Sequence, residues 1–147
     1  DYMLLAVPKK YMMLQKAEKR EGEKYPWMDI SMMPNEFIIQ DNSCYVRQEI
    51  DQIFEEYGKE LKPKMIVNSS MLAMQTLERG MGFCFISEVF LPYITNTKDI
   101  DFFCIGKNKV KKTKTGIIYL KNKILSRQEK YCISVLKEKI INGEIGV

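Results

Sequence analysis

Residues 68–87 read NSSMLAMQTLERGMGFCFIS, and this stretch decides the expected architecture. Asn68, Ser69 and Ser70 carry short side chains that can accept hydrogen bonds from the first free N–H groups of a helix. Met71, Met74 and Leu77 then recur at helical spacing, with Gln75, Glu78 and Arg79 on the opposite side. Gly80 stands where a helix ends in a left-handed residue, and Gly82 follows two positions later. Phe83-Cys84-Phe85-Ile86 is apolar without alternation, which suits a strand covered on both faces. The stretch reads as helix, Gly-Met-Gly turn and buried strand. Residues 64–67 supply the strand before it and complete a βαβ unit.

Outward from this unit, residues 2–7 are apolar and read as a strand that Pro8 ends. Residues 11–19 read as a short helix. Residues 17–25 are dense in Lys and Glu and read as a solvated loop, with Trp27, Ile30, Met32 and Met33 pinning this excursion to the body. Phe37-Ile38-Ile39, within residues 36–40, is a second buried strand. Asp41-Asn42-Ser43 offers three capping residues in a row before an amphipathic stripe of Val46, Ile50, Ile53, Phe54 and Tyr57 that Gly58 closes. Residues 88–93 read as a helical turn, and residues 101–105 and 116–120 as strands. Between those strands, Lys107, Lys109, Lys111, Lys112 and Lys114 mark an exposed, charged connection. Ser126 and Glu129 make a capping box for a last helix that runs to about residue 141, with Cys132, Val135, Leu136 and Ile140 inward. Alternating strands and helices imply an α/β fold of three layers: a mostly parallel sheet with helices on both faces.

Composition narrows the function. A chain of 147 residues with 46% hydrophobic and 29% charged residues fits one soluble domain with a sizeable core. The net charge of +4 is too small and too dispersed for a nucleic-acid surface. No apolar run approaches the roughly 20 residues of a membrane helix, and no secretory signal is present. A cytoplasmic location is expected. The chain opens at Asp1 at the edge of an apolar strand, so a further N-terminal part is expected. Cys44, Cys84, Cys104 and Cys132 are widely spaced, without a CxxC pair and without any histidine. That pattern argues against a zinc site and points to buried, reduced thiols. The absence of histidine removes the commonest general base and every Ser-His or Cys-His pair. The residues call for no metal and no cofactor.

In open α/β sheets, ligands bind beyond the carboxyl ends of the strands. Three such ends can be named: Gln40-Asp41-Asn42-Ser43-Cys44, Asn68-Ser69-Ser70, and Ser87. All carry small polar groups, and two lead into a helix N-terminus, where free N–H groups and the dipole favour an anion. The candidate ligand-binding residues are therefore Ser43, Cys44, Asn68, Ser69, Ser70 and Ser87. The competing reading makes these residues helix caps and nothing more. No catalytic constellation joins them. Gly80-Met81-Gly82 links a helix to a strand, the reverse of a phosphate loop.

Taken in order, several segments resemble the effector-binding domain of LysR-type transcriptional regulators. They are Phe37-Ile38-Ile39; Arg47, Asp51 and Phe54; Gly58; Pro63-Lys64; and Leu77-Glu78-Arg79-Gly80-Met81-Gly82-Phe83-Cys84-Phe85-Ile86. Tyr2-Met3-Leu4-Leu5-Ala6-Val7-Pro8 looks like that family's crossing strand between subdomains. The resemblance covers nearly the whole chain and departs at Ser87, where the family usually has proline. It implies a two-lobed fold of the type II periplasmic-binding-protein kind. Residues 1–105 would be the second subdomain with its crossing strands, and residues 106–147 the C-terminal strand and helix of the first. The rest of the first subdomain, the linker helix and the winged helix-turn-helix would be absent. The resemblance further implies a small-molecule inducer between the lobes, with Ser43, Asn68, Ser69 and Ser70 at positions that commonly face it.

The expected function is the ligand-sensing domain of such a regulator, taking a small anionic metabolite and performing no catalysis. DNA would be reached only through the missing helix-turn-helix, and no membrane is involved. Residues 116–120 and the last helix should lack their usual packing partner, so a homo-oligomer is expected. A solute-binding protein of the same fold serving transport is the alternative. An enzyme would need a base that these strand ends do not supply.

Overall fold

A computed structural model describes residues 2–106 and 116–141; the lysine run at residues 107–115 lies outside the described residues. The apolar runs become strands. β1 (Met3–Pro8), β2 (Phe37–Gln40), β3 (Met65–Val67), β4 (Phe83–Ser87) and β5 (Ile100–Cys104) form one sheet in the order β3-β2-β4-β1-β5. β2 pairs with β3 and β4 in parallel. β1 lies antiparallel between β4 and β5. The sheet is thus mixed, where the sequence predicts a mostly parallel one. An apolar run reveals that both faces are covered but carries no sign of direction. Residues 9–36, moreover, return the chain through short 3-10 turns with no crossover helix.

Alternating side chains divide the core in two. Leu5, Phe37, Ile39, Phe83, Phe85 and Phe103 pack with Ile50, Ile53 and Phe54 of α1 (Tyr45–Glu56). Leu4, Ile38, Cys84, Ile86 and Cys104 pack with Ala73, Met74 and Leu77 of α2 (Ser70–Glu78). Helix, sheet and helix make three layers. Phe37 stands at the centre, edge-on to Phe54 at 5.0 Å and stacked on Phe85 at 5.8 Å. Such aromatic pairs contribute about 0.5–1.5 kcal/mol beyond the area they bury. The α1 stripe is as the periodicity predicts. In α2, Met71 is exposed together with Leu72, and Ala73 and Thr76 take the inward places. Met71 sits in the first turn of α2, half of its surface open to solvent.

The excursion between β1 and β2 forms 3-10 turns at Lys9–Tyr11, Met13–Lys16 and Ile30–Met32; the first two replace the short helix that the sequence predicts over residues 11–19. Met13, Met28, Ile30 and Met33 seat it on the sheet, and Met32 is exposed. Residues 17–25 keep Glu18, Lys19, Glu21 and Lys24 exposed, as their charge suggests, but the segment is closed by backbone pairing. Glu18 and Trp27 exchange backbone hydrogen bonds of 2.9 and 2.7 Å. The Cys104 N–H donates to the Pro26 carbonyl and the Met28 N–H to the Cys104 carbonyl, so this segment pairs in parallel along the outer edge of β5. Lys59 donates to the carbonyls of Ile30 and Met33 at 2.9 and 2.6 Å, and burial pushes its ammonium pKa down.

The C-terminal part differs most from expectation. Residues 116–120 form no strand among the described residues, and Ile118 and Ile124 are 95% and 92% exposed. α3 (Arg127–Ile141) begins with the predicted capping box: Ser126 N–H donates to the Glu129 carboxylate at 2.8 Å and Glu129 N–H to Ser126 Oγ at 3.2 Å. Hydrogen bonds from Lys123 and then from Ser126 hold the Glu129 carboxyl down to about 2. Yet Cys132 and Leu136 are exposed and Val135 only half-buried; the side chain of Ile140 lies outside those described. A stripe marks which side of a helix is apolar but supplies no surface to receive it. Among the described residues, no helix is long and apolar enough to cross a membrane.

Two glycines are required by the turn into β4. Gly80 has φ +68°, the left-handed end expected for α2. At Gly82, a Cβ would fall 2.3 Å from the Glu36 carbonyl oxygen, because Phe83 N–H bonds that carbonyl at 2.9 Å to start the β2–β4 pairing. Replacing Gly82 by Ala should therefore cost about 1–3 kcal/mol through overpacking against backbone, read as a lower urea midpoint. An unchanged midpoint would refute the close approach.

Candidate functional site

β3, β2 and β4 are neighbours and run in parallel, so their carboxyl ends lie side by side on one sheet edge, about 4.8 Å apart per strand. Direct contacts join the first two ends. Asp41 N–H donates to the Val67 carbonyl at 2.9 Å. Cys44 Sγ lies 3.9 Å from the Asn68 carbonyl oxygen. Gln40 Nε2 donates to Ser70 Oγ at 3.4 Å. The edge thus brings together Ser43, Cys44, Asn68, Ser69 and Ser70. Ser87 ends β4 on the other side of β2, opposite Met3.

The individual roles differ from a row of equivalent caps. Ser69 caps α2, its Oγ accepting from Leu72 N–H at 3.2 Å. Ser70 opens that helix, half-buried over Gln40. Asp41, Asn42 and Ser43 do not cap α1, contrary to the sequence reading. The carboxylate of Asp41 turns onto Ser43, accepting its O–H and, at 2.9 Å, its N–H; these bonds hold the Asp41 carboxyl below the usual range. The N-cap position falls to Cys44, which makes no side-chain cap bond. Neither α1 nor α2 carries an acidic residue in its first turn.

Sequence reading missed two features of this edge. Gln40 is fully buried, and its Oε1 has no hydrogen-bond partner among the described residues. Its backbone carbonyl accepts from Arg47 Nη1 at 3.4 Å, while Arg47 Nε holds Asp51 at 2.8 Å. A glutamine ending an apolar strand was the available signal. The second feature lies beside Ser87. Glu88 accepts from Lys24 Nζ, from Tyr25 O–H at 2.9 Å and from Tyr2 N–H at 3.4 Å. Burial pushes the Glu88 carboxyl up, but the bonds from Lys24 and Tyr25 outweigh it and leave the group below its usual value. Partners more than 60 residues apart leave no local pattern to read.

A cleft of about 280 Å³ opens at the opposite end of the sheet, lined by Pro8, Lys9, Lys10, Arg79, Asp99 and neighbouring residues. The Lys10 ammonium lies beside Gly80 at the C-terminus of α2, where the partial negative charge of the helix end favours a cation. No cluster of three or more His, Cys, Asp or Glu able to hold a metal occurs among the described residues.

Capping roles make a paired prediction. Ser69→Ala should cost about 1 kcal/mol of stability in urea melts. Ser43→Ala, exposed and capping no helix, should cost under ~0.5 kcal/mol. Equal losses at both positions would contradict these assignments.

No protein-family model matches the chain, and no curated protein sequence matches it. Solved structures do match. The regulatory domain of Synechocystis PCC6803 CcmR, solved in complex with 2-PG, aligns with a TM-score of 0.67 at 13% identity, over 93% of this chain and 62% of that one. HinK, a LysR family transcriptional regulator from Pseudomonas aeruginosa, aligns with a TM-score of 0.62 at 14% identity, over 95% and 44%. The effector-binding domain of QuiR, solved in complex with shikimate, aligns with a TM-score of 0.57 at 13% identity, over 90% and 58%. The chain thus spans 44–62% of the length of these three chains. At such identities the likeness is one of architecture: the chain has the fold of the effector-binding domains of LysR-family regulators, over the part that its residues span.

Proposed function

We propose that this chain is the effector-sensing part of a LysR-type transcriptional regulator and binds a small metabolite bearing an anionic group. The observation that carries the reading is the alignment of three polar strand ends on one sheet edge, in a fold shared with regulators. Ser43, Cys44, Asn68, Ser69, Ser70 and Ser87 form one wall of the site in this reading, and Gln40 props Ser70 from beneath. Asp41 would repel an anion at the start of α1. We therefore place the anionic group at the start of α2, against Asn68, Ser69 and Ser70, where the first-turn N–H groups carry partial positive charge and no acidic residue competes.

The rest of the reading follows the family. Residues 1–105 are the second lobe of a type II periplasmic-binding-protein-like pair, residues 106–147 belong to the first lobe, and the ligand lies between them. DNA is contacted through a separate helix-turn-helix, and the protein works in the cytoplasm. The role is binding without turnover, since the edge offers no histidine and no paired general base. The complexes of QuiR with shikimate and of CcmR with 2-PG support a small-molecule effector.

Cysteine alkylation tests the site. Cys44 is half-buried at the edge, Cys132 is exposed on α3, and Cys84 and Cys104 are buried. A bound organic acid, with shikimate as the first probe of a panel, should slow alkylation of Cys44 by about tenfold at ten times its dissociation constant, by simple occupancy. The rate at Cys132 should not change. Binding detected by thermal shift without protection of Cys44 would place the site elsewhere.

Self-association belongs to the same proposal. Ile118, Leu120, Ile124 and Tyr131 are exposed apolar residues on the C-terminal part. Sedimentation should show association as concentration rises, and a strict monomer at millimolar concentration would count against it.

A further inference from the structure

Leu4 faces Cys104 where the pairing of β1 with β5 stops, and Tyr2 and Gly106 each lie two residues beyond that last pair. These two positions, one leading into β1 and one leaving β5, lie at the same sheet edge as the polar strand ends. Both are held by a single segment, residues 18–28. On the Tyr2 side, its O–H donates to Glu23 at 2.9 Å and its ring meets Tyr25 edge-on at 5.7 Å. Its N–H reaches Glu88, the carboxylate that also accepts from Lys24 and Tyr25. On the Gly106 side, Trp27 Nε1–H donates to the Gly106 carbonyl at 2.7 Å. The Arg20 guanidinium lies 3.9 Å over the Trp27 ring, and Pro26 and Met28 bond the backbone of Cys104 at 2.8 and 2.9 Å. The Glu18–Trp27 backbone pair closes the segment on itself.

Seating the excursion needs none of this. Met13, Met28, Ile30 and Met33 already anchor it on the α1 face of the sheet, whereas Tyr2, Tyr25 and Trp27 pack on the α2 face. The additional bonds are directional, and they converge on the two crossing residues. We infer that residues 18–28 form a clamp that locks the crossing points into one stiff pivot. Neither crossing segment can be redirected without the other, and movement of this lobe against any chain joined to it turns outside the Tyr2–Gly106 pair. The inference rests on the proposed two-lobed reading only for what turns about the pivot; the clamp itself is tested without ligand, so either can fail alone.

The experiment is residue-resolved amide hydrogen exchange on the 147-residue chain and on Trp27→Phe and Glu88→Gln. Trp27→Phe keeps an aromatic ring and removes the bond to Gly106; Glu88→Gln weakens the hold on Tyr2. If the segment acts as one clamp, each variant speeds exchange at both crossing points, Tyr2 and Cys104, by roughly three- to tenfold, the loss of about one hydrogen bond. Ile38 and Ile39 in β2 should exchange as before. The lone tryptophan gives a second reading, because Glu88→Gln should shift the emission of Trp27 on the far side of the clamp. Loosening confined to the mutated side would reduce the clamp to two independent contacts, and equal loosening throughout the sheet would reduce it to general stability; either result overturns the inference. A milder variant, Arg20→Ala, removes the stacking cation together with its exposed ion pair to Glu18, leaves the Trp27–Gly106 bond in place, and keeps the test open if Trp27→Phe fails to fold.

Discussion

Burial on both faces leaves the backbone of β1, β2 and β4 with no partner except another strand. Side chains of these strands are almost wholly inaccessible on the α1 side and the α2 side alike. An unpaired N–H or C=O in such a place would cost about 1–3 kcal/mol. Everything else in the fold serves that requirement. Gly82 lets the backbones of β2 and β4 meet from the first residue, β1 fills the gap between β4 and β5, and residues 26–28 bond the end of β5. Polar side chains are then admitted only where the strands stop. The same condition that makes the middle of the sheet apolar gathers the serines, asparagine and cysteine at one edge.

Much of this was legible in the sequence, for identifiable reasons. Helix and strand identities follow from period, and the period of α1 and the unbroken run of β4 are unambiguous. Gly80 and the Ser126–Glu129 box carry local backbone chemistry that tolerates few alternatives. What could not be read depends on relations between distant residues. The antiparallel placement of β1 has no signature in an all-apolar hexamer. Met28 is seated on the sheet where its N–H bonds the Cys104 carbonyl, a long-range pairing with no local sequence signal, while Met32 in its 3-10 turn is left exposed. Asp41 spends its carboxylate on Ser43, so a run of three good capping residues caps nothing. Residues 116–120 have the composition of a strand, but a strand exists only where another pairs with it.

The edge itself was legible in part. Naming strand ends from sequence finds residues that stand at the right level of the sheet. It does not find what supports or neighbours them. Gln40 beneath Ser70 and the Glu88 cluster beside Ser87 emerge only when β2, β4 and the excursion are brought together. Their effect on electrostatics is opposite to a simple count of charges. Asp41 stays ionised and occupies the approach to α1, Glu88 is neutralised by Lys24, and the start of α2 is left as the least acidic part of the edge.

The excursion meets the sheet through methionine. Met13, Met28 and Met33 are buried where it crosses the α1 face, beside Ile30. Unbranched thioether side chains adapt to irregular gaps, and exchanges of similar volume in such places usually cost less than about 1.5 kcal/mol. The seam is therefore the part of the interior where sequence can drift most cheaply. Across descendants of this chain the loop above it could change length and charge while keeping its seat, and the ring of aromatics around Phe37 could not. Divergence should accumulate along the seam first, and the sheet would remain recognisable long after the excursion has ceased to resemble its ancestor.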